Sequence, residues 1–269
     1  MSLPKLSVII VNYNGLPFLR DCFNSLKNHL VGISYEIIVV DNDSKDESCN
    51  FIKTNFPEVK QIESKINLGF GKANNLGVQN ASSETILLLN NDTILLDNLL
   101  PAIDTLYSKP ENGIVAINMV DATKKYICAV GRFPSPLRLI KISFLNDLRK
   151  EFKVGHFDKI VYEADWVSGS FMLMRTADYK AVNGFDSDYF MYVEDVDLCK
   201  KMKNLGKNCI FQSNLSYIHF VGFNQSREIN LIKGYKLYSE KHFSYLNSIL
   251  AKICLKINYV YKKNFKNIR

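Results

Sequence analysis

Thr85-Ile86-Leu87-Leu88-Leu89-Asn90-Asn91-Asp92 is an apolar run that opens directly onto two amides and a carboxylate. A short apolar stretch bounded by polar residues reads as a strand buried on both faces. Two other stretches are built alike. Leu6 to Val11 (LSVIIV) ends at Asn12-Tyr13-Asn14-Gly15, and Glu36 to Val40 ends at Asp41-Asn42-Asp43-Ser44. Helical signals fall between them. Phe18, Cys22, Leu26 and Leu30 lie four residues apart, Asp46 to Phe56 is stopped by Pro57, and Ala73 to Asn80 reads as a helix. Val59 to Glu63 is a weaker strand. This alternation predicts an α/β fold with a mostly parallel sheet and helices on both faces. Ligands of such sheets sit beyond the carboxyl ends of the strands, which places Asn12, Asp41 and Asp92 on one edge.

The rhythm lapses from about Tyr126 to Asp165. That stretch carries Arg132, Arg138, Lys141, Arg149, Lys150 and Lys153, with Pro134 and Pro136 among them, and reads as a partly irregular basic insertion. Trp166 to Met174 resumes an apolar, strand-like run. Asn183-Gly184-Phe185 reads as a turn. Leu198, Met202 and Leu205 form a helical stripe capped by Gly206. Asn208 to Phe211 is a further strand. Leu246, Ile249, Leu250, Ile253 and Ile257 share one face of a C-terminal amphipathic helix.

The chain has 269 residues, 47% of them apolar, and a formal charge of +7. Lys252, Lys256, Lys262, Lys263, Lys266 and Arg269 crowd the C-terminus without an intervening acid, a pattern that attracts anions. Cys22, Cys49, Cys128, Cys199, Cys209 and Cys254 show no CxxC spacing, which argues against a zinc knuckle or redox pair. Pro4 and Lys5 lead straight into a strand, and no apolar run has the length of a membrane span. The expected location is cytosolic and reducing, with peripheral attachment to an anionic inner leaflet through the C-terminal helix. Packing of that helix on the domain, or on a second subunit of a homo-oligomer, is the alternative.

Several residues have chemistry to offer. Asp41 at a strand end can accept hydrogen bonds from a base or ribose, or can close an Asx-turn. Asn67-Leu68-Gly69-Phe70-Gly71-Lys72-Ala73-Asn74-Asn75 enters a helix but completes neither a Walker loop nor GxGxxG. Its glycines either shape a turn or let backbone approach a nucleotide. Asp92 offers a hard oxygen to Mg²⁺ or Mn²⁺ against a diphosphate, with Asn90 and Asn91 adding neutral contacts. Glu194, Asp195 and Asp197 open a helix whose dipole stabilises them, and closely placed acids also raise one another's pKa, as a general base requires. His219 is a structural histidine or a further metal ligand through neutral imidazole.

Taken in order, Ser7-Val-Ile-Ile-Val-Asn-Tyr-Asn14, Ile38-Val-Val-Asp-Asn-Asp-Ser44, Asn67 to Asn75, Leu88-Leu-Asn-Asn-Asp92, Gly184-Phe-Asp186 and Tyr192-Val-Glu-Asp-Val-Asp-Leu198 resemble glycosyltransferase family 2 with its Rossmann-like GT-A fold. The wording is most similar to the bacterial rhamnosyltransferase-like branch. The resemblance implies inverting transfer of one sugar from a nucleoside diphosphate sugar, dTDP-rhamnose or a UDP-hexose, in surface polysaccharide synthesis. The acceptor it implies is a glycan or a polyprenol-linked glycan. It matches Asp195 to the catalytic base and Glu194 to its partner, Asp92 to the last acid of the metal-binding DxD signature, and His219 to a further ligand. Asp41, Asn12 and Tyr13 match the base pocket, and Asn67, Gly69, Asn74, Asn90 and Asn91 the rest of the donor site. Trp166, Ser168 and Gly169 fall where the family shapes the acceptor site. The signature departs from the family pattern, because two of its positions are amides.

The expected organisation is a catalytic domain over residues 1–240, with a nucleotide-binding half (1–125) and an acceptor-binding half (126–240), followed by a basic amphipathic segment (241–269). The stretch from Arg132 to Lys153 is a candidate for a segment closing over the donor. A sugar nucleotidyltransferase should show a glycine- and basic-rich loop where Asn12-Tyr13-Asn14-Gly15 stands. A non-catalytic nucleotide-sugar binding module is the other alternative. The acidic strand ends argue against nucleic acid on the main face.

Overall fold

The computed structural model describes residues 5–220 and 227–265. Pro4, Lys266 and Arg269, singled out above, lie outside these. In chain order the elements are β1 (Lys5–Asn12), α1 (Leu16–His29), β2 (Ser34–Asn42), α2 (Ser48–Asn55), β3 (Lys60–Ser64), α3 (Phe70–Gln79), β4 (Thr85–Asn90), β5 (Thr93–Leu95), α4 (Leu100–Ser108) and β6 (Asn112–Val120). There follow β7 (Val130–Gly131), two 3₁₀ turns (Leu137–Ile140 and Ile142–Leu145), α5 (Lys150–Val154), β8 (Val161–Ala164), β9 (Trp166–Val167), β10 (Phe171–Arg175), α6 (Thr176–Ala181), α7 (Glu194–Asn204), β11 (Asn208–His219), α8 (Arg227–His242) and α9 (Tyr245–Phe265).

The main sheet runs β3-β2-β1-β4-β10-β6-β11-β5, with β8 also paired to β11. β1, β2, β3 and β4 are mutually parallel; β1, β2 and β4 are buried apolar runs, and β3 (KQIES) is the partly exposed edge. Side chains alternate between the faces. Leu6, Val8 and Ile10 pack with Leu19, Phe23 and Leu26 of α1 and Ile103 and Leu106 of α4. Ile9 and Ile38 pack on the other side with Val78 of α3 and Leu198 and Met202 of α7.

Register brings the strand ends level: Asn12 lies opposite Asp41, and Val11 opposite Asn90. β10 runs antiparallel to β4, so the turn that starts it lies beside Asn90. The run from Trp166 to Met174 is therefore not one strand, because Ser168-Gly169-Ser170 breaks it at the sheet edge. β11 extends well past Phe211. A register shift between Gln212 and Ser216 bends it, and its end pairs with β5, setting His219 opposite Thr93.

The basic insertion is anchored in the fold. Leu139 and Leu145 are buried in a third apolar cluster with Val193 and Val196 at α7, Tyr235 and Tyr238 of α8, and Ala251, Cys254 and Leu255 of α9. The stretch from Arg132 to Lys153 is thus built into the packing of α7 to α9. Leu205 is 44% exposed and falls outside the α7 stripe, which Leu198, Cys199 and Met202 complete. The boundary expected at residue 240 falls in the last turn of α8, which continues to His242. Among the described residues, no helix is long and apolar enough to cross a membrane.

Candidate active site

Asn12 is fully buried where three strands end. Its amide donates to Asp41 Oδ2 at 2.9 Å and to Ser44 Oγ at 3.1 Å, and its Oδ1 accepts from Asn91 Nδ2 at 2.8 Å. Burial without partners would cost about 1–3 kcal/mol per group, so this network fixes the ends of β1, β2 and β4 together. Asp41 Oδ1 accepts the Ser44 amide at 2.9 Å, so this carboxylate does close an Asx-turn. Gly15 is required by close approach: a Cβ there would overlap Asn91 Nδ2 and Asn12 Oδ1. Tyr13, 51% exposed, stands at the rim beside this network.

A second group shapes the loop before α3. Asn42 donates to Asn67 Oδ1 at 3.0 Å and accepts the Leu68 amide at 2.7 Å. Asn67 Oδ1 also accepts the Gly69 amide at 2.9 Å. Gly69 has φ 80°, and a Cβ there would run into the Phe190 carbonyl. α3 starts at Phe70, three residues earlier than its apolar pattern suggests, because Gly69 provides the entry. Asn74 is 1% exposed, and its amide donates to the Phe70 carbonyl of its own helix at 3.0 Å.

Asp92 and His219 meet through the β5–β11 pairing. Asp92 Oδ1 lies 3.2 Å from His219 Nε2, which is also 3.2 Å from Asn90 Nδ2. Asp92 Oδ1 is buried without a hydrogen-bond partner. An orphaned carboxylate oxygen beside an imidazole nitrogen fits a divalent cation, since carboxylate, carbonyl and water oxygens suit Mg²⁺ and Mn²⁺. Among the described residues no group of three or more His, Cys, Asp or Glu could hold a metal. The remaining positions of such an ion would fall to donor oxygens and water.

The Ser168–Ser170 turn joins this edge to the acids of α7. The Asn90 main-chain N–H donates to the Ser170 carbonyl at 3.1 Å. The Gly169 amide donates to Asp195 Oδ2 at 3.0 Å, and Ser170 Oγ pairs with the buried Tyr217 hydroxyl at 2.7 Å. Asp195 and the end of β4, two residues before Asp92, therefore meet at one turn. Trp166 is held one strand back, with Nε1 donating to the Arg132 carbonyl at 3.0 Å.

Asp195 is half-buried, and burial raises its carboxyl above the usual range. Glu194 is 5% exposed and its Oε2 has no hydrogen-bond partner. Burial first, and then the Asp195 charge, push the Glu194 carboxyl well up. The pair is preceded by two left-handed residues, Tyr192 at φ 69° and Val193 at φ 73°. For a β-branched residue this is a genuine outlier, costing about 1–3 kcal/mol and persisting only where surroundings impose it.

Sequence reasoning missed Asn42, Ser44, Tyr217 and Phe190. Asn42 directly follows Asp41 in a buried strand, which was a signal. Phe190, 55% exposed beside Gly69, gave none.

The sequence model of glycosyl transferase family 2 matches residues 7–158. The chain is 29% identical over 253 residues to rhamnosyltransferase WbbL of Escherichia coli strain K12, covering 89% of this chain and 91% of that protein. It is 22% identical to N-acetylglucosaminyl-diphospho-decaprenol L-rhamnosyltransferase of Mycobacterium tuberculosis strain H37Rv, covering 83% and 78%. Among solved structures, mannosyltransferase PcManGT from Pyrobaculum calidifontis, in complex with GDP-Man and Mn²⁺, shares the fold with a TM-score of 0.65 at 15% identity, over 99% of this chain and 76% of that one. The chain belongs to glycosyl transferase family 2 and is a glycosyltransferase of the GT-A fold, similar to the rhamnosyltransferases of that family.

Proposed function

We propose that this chain moves one sugar, with inversion at the anomeric carbon, from a nucleoside diphosphate sugar to a hydroxyl of a glycan or polyprenol-linked acceptor at the cytoplasmic face of the membrane. The observation that carries this reading is the turn whose Gly169 amide holds Asp195 while its Ser170 carbonyl takes the Asn90 amide. The half-buried Asp195 carboxylate and the end of β4 are thereby tied to one turn.

Asp92 and His219 would hold Mn²⁺ or Mg²⁺, which when bound neutralises charge on the departing nucleoside diphosphate. Asp195 takes the proton of the acceptor hydroxyl. The acceptor oxygen bonds to the anomeric carbon from the opposite face as the bond to the phosphate oxygen breaks, and that oxygen keeps the electron pair. No covalent enzyme intermediate forms. Tyr13, Asn12 and Asp41 line the base, with residues 1–125 serving the nucleotide. Asn67, Gly69, Asn90 and Asn91 border the rest of the donor, while Trp166 and Ser168 shape the acceptor side, within 126–240. The relatives' names favour rhamnose over a hexose such as that of a UDP-hexose as the sugar moved, and a polyprenol-diphosphate acceptor.

Peripheral membrane contact is assigned to α9. Ala251, Cys254 and Leu255 are buried in the cluster shared with α8, whereas Leu246, Ile253 and Ile257, on the other side, are at least half exposed. Lys252 and Lys262 pair with Glu240 and Glu228 of α8, so the apolar stripe contributes more to this contact than the charge.

Thermal stabilisation by a panel of nucleotide sugars, with and without Mn²⁺, tests the reading. A donor that stabilises only with metal supports it. Indifference to every nucleotide sugar under both conditions rejects it.

A further inference from the structure

We infer that helix α8 is a clamp that sets the position of the Asp195 carboxylate, with Gly234 and His242 as positioning residues for transfer. The inference rests on the assignment of Asp195 as the base. Its starting point is the left-handed pair Tyr192 and Val193 immediately before Glu194 and Asp195. A valine does not hold that conformation by itself, so neighbouring structure must impose it.

α8 supplies that structure at three places. Gly234 sits inside the helix, where glycine is unfavourable unless packing demands it. A Cβ at Gly234 would lie 2.7 Å from Val193 Cγ2 and 2.8 Å from the Tyr192 carbonyl oxygen, so only glycine lets the helix backbone lie on the turn. At the end of α8, His242 Nε2 donates to Asp197 Oδ1 at 2.7 Å. Asp197 is 1% exposed, and its amide donates to the Val193 carbonyl at 2.9 Å. Lys241, one residue earlier, pairs with Asp186 at 2.8 Å and Asp188 at 2.7 Å, midway along the loop from α6 to α7.

The chain is thus held twice before Asp195 and once after it, all from one helix. The opposite anchor is the Gly169 amide on Asp195 Oδ2. Loosening α8 moves the base against that amide and leaves the nucleotide-facing ends of β1, β2 and β4 untouched. A displacement near 1 Å at a reacting group lowers turnover by about a hundredfold.

The test uses the full chain with Gly234→Ala, His242→Gln and Asp195→Asn. Amide exchange is followed over 166–170, 190–198 and 6–11, with Mn²⁺-dependent binding of UDP and dTDP, and turnover on the donor that stabilises the protein. Both α8 variants should exchange faster over 166–170 and 190–198, keep protection over 6–11, keep nucleotide affinity and donor KM, and lose at least about tenfold in kcat. Adding Val193→Gly to Gly234→Ala removes the Cγ2 contact and supplies a residue that accepts positive φ, so part of the turnover should return. Unchanged exchange over both segments, unchanged kcat in both variants, or equal loss of nucleotide affinity and kcat overturns the clamp. His242→Gln leaves the Gly234 contact intact and remains decisive if Gly234→Ala does not fold. Full turnover in Asp195→Asn would remove that residue's role as base, whereas exchange in the α8 variants reports on the clamp alone.

Discussion

Asp92 Oδ1 and His219 Nε2 lie 3.2 Å apart, and the buried carboxylate oxygen has no hydrogen-bond donor. With Asp92 and His219 as the proposed ligands the metal site would be lean, so the ion should bind tightly only with the nucleotide present. His219→Ala should therefore weaken Mn²⁺-dependent binding of dTDP or UDP at least about tenfold. Nucleotide affinity without metal should hardly change. Calorimetry with and without a chelator separates the two quantities. Equal metal-dependent affinity in variant and parent would remove His219 from the site.

Glu194 makes a prediction about stability and pH. Its carboxyl is raised in the folded protein by burial and then by Asp195, from an ordinary value of 4.5. A raised acid contributes stability in full below its unfolded value and loses it as pH climbs through the folded value. Glu194→Gln cannot ionise and escapes that loss. The melting temperature of the variant minus that of the parent should grow from acid to alkaline pH, by about 2–4 °C for each kcal/mol. A difference that stays flat from pH 4 to 9 would show that Glu194 is already solvated as a charge.

Much of this molecule can be read from its sequence because buried parallel strands are continuous apolar runs with polar ends. β1, β2 and β4 appear within one or two residues of their expected limits. What failed to appear is non-local. Nothing near His219 points to Asp92, since the polar bend of β11 around Gln212 and Ser216 hides the strand that carries it. The direction of β10 depends on how the basic insertion packs, and an apolar run reads the same either way. Val193 has no local reason to be left-handed; α8 imposes it. Trp166 to Met174 reads as one apolar run in the sequence, and the place of Ser168-Gly169-Ser170 between Asn90 and Asp195 followed only from the antiparallel pairing.

Gly15 offers a sharp test of the strand-end network. A methyl group there would collide with the Asn91 amide and Asn12 Oδ1, breaking a bond of 2.8 Å. Gly15→Ala should cost about 1–3 kcal/mol, the price of leaving buried polar groups unpaired. Nucleotide affinity should fall with it, because Asn12 also orients Asp41. Denaturant unfolding and nucleotide titration read the two effects. Unaltered values for both would mean that Asn91 can turn away freely and that the network does not shape the donor site.

The last prediction concerns the open face of α9. Ile253 is 52% and Ile257 50% exposed, while Ala251, Cys254 and Leu255 on the opposite side of the helix are buried, so substitutions at the isoleucines leave the packed side alone. Exposed apolar residues in such a stripe carry interfacial binding by area removed from water, roughly 25 cal/mol per Å². Ile253→Glu with Ile257→Glu should leave the melting temperature and nucleotide affinity unchanged and should sharply reduce co-sedimentation with vesicles of anionic and zwitterionic lipid. The parent should bind vesicles with only moderate salt sensitivity, since Lys252 and Lys262 are engaged with acids of α8. If the paired variant sediments with vesicles as the parent does, the stripe is not the membrane contact. A parent that ignores vesicles but changes from dimer to monomer on the same substitutions would assign the face to a second copy of the chain.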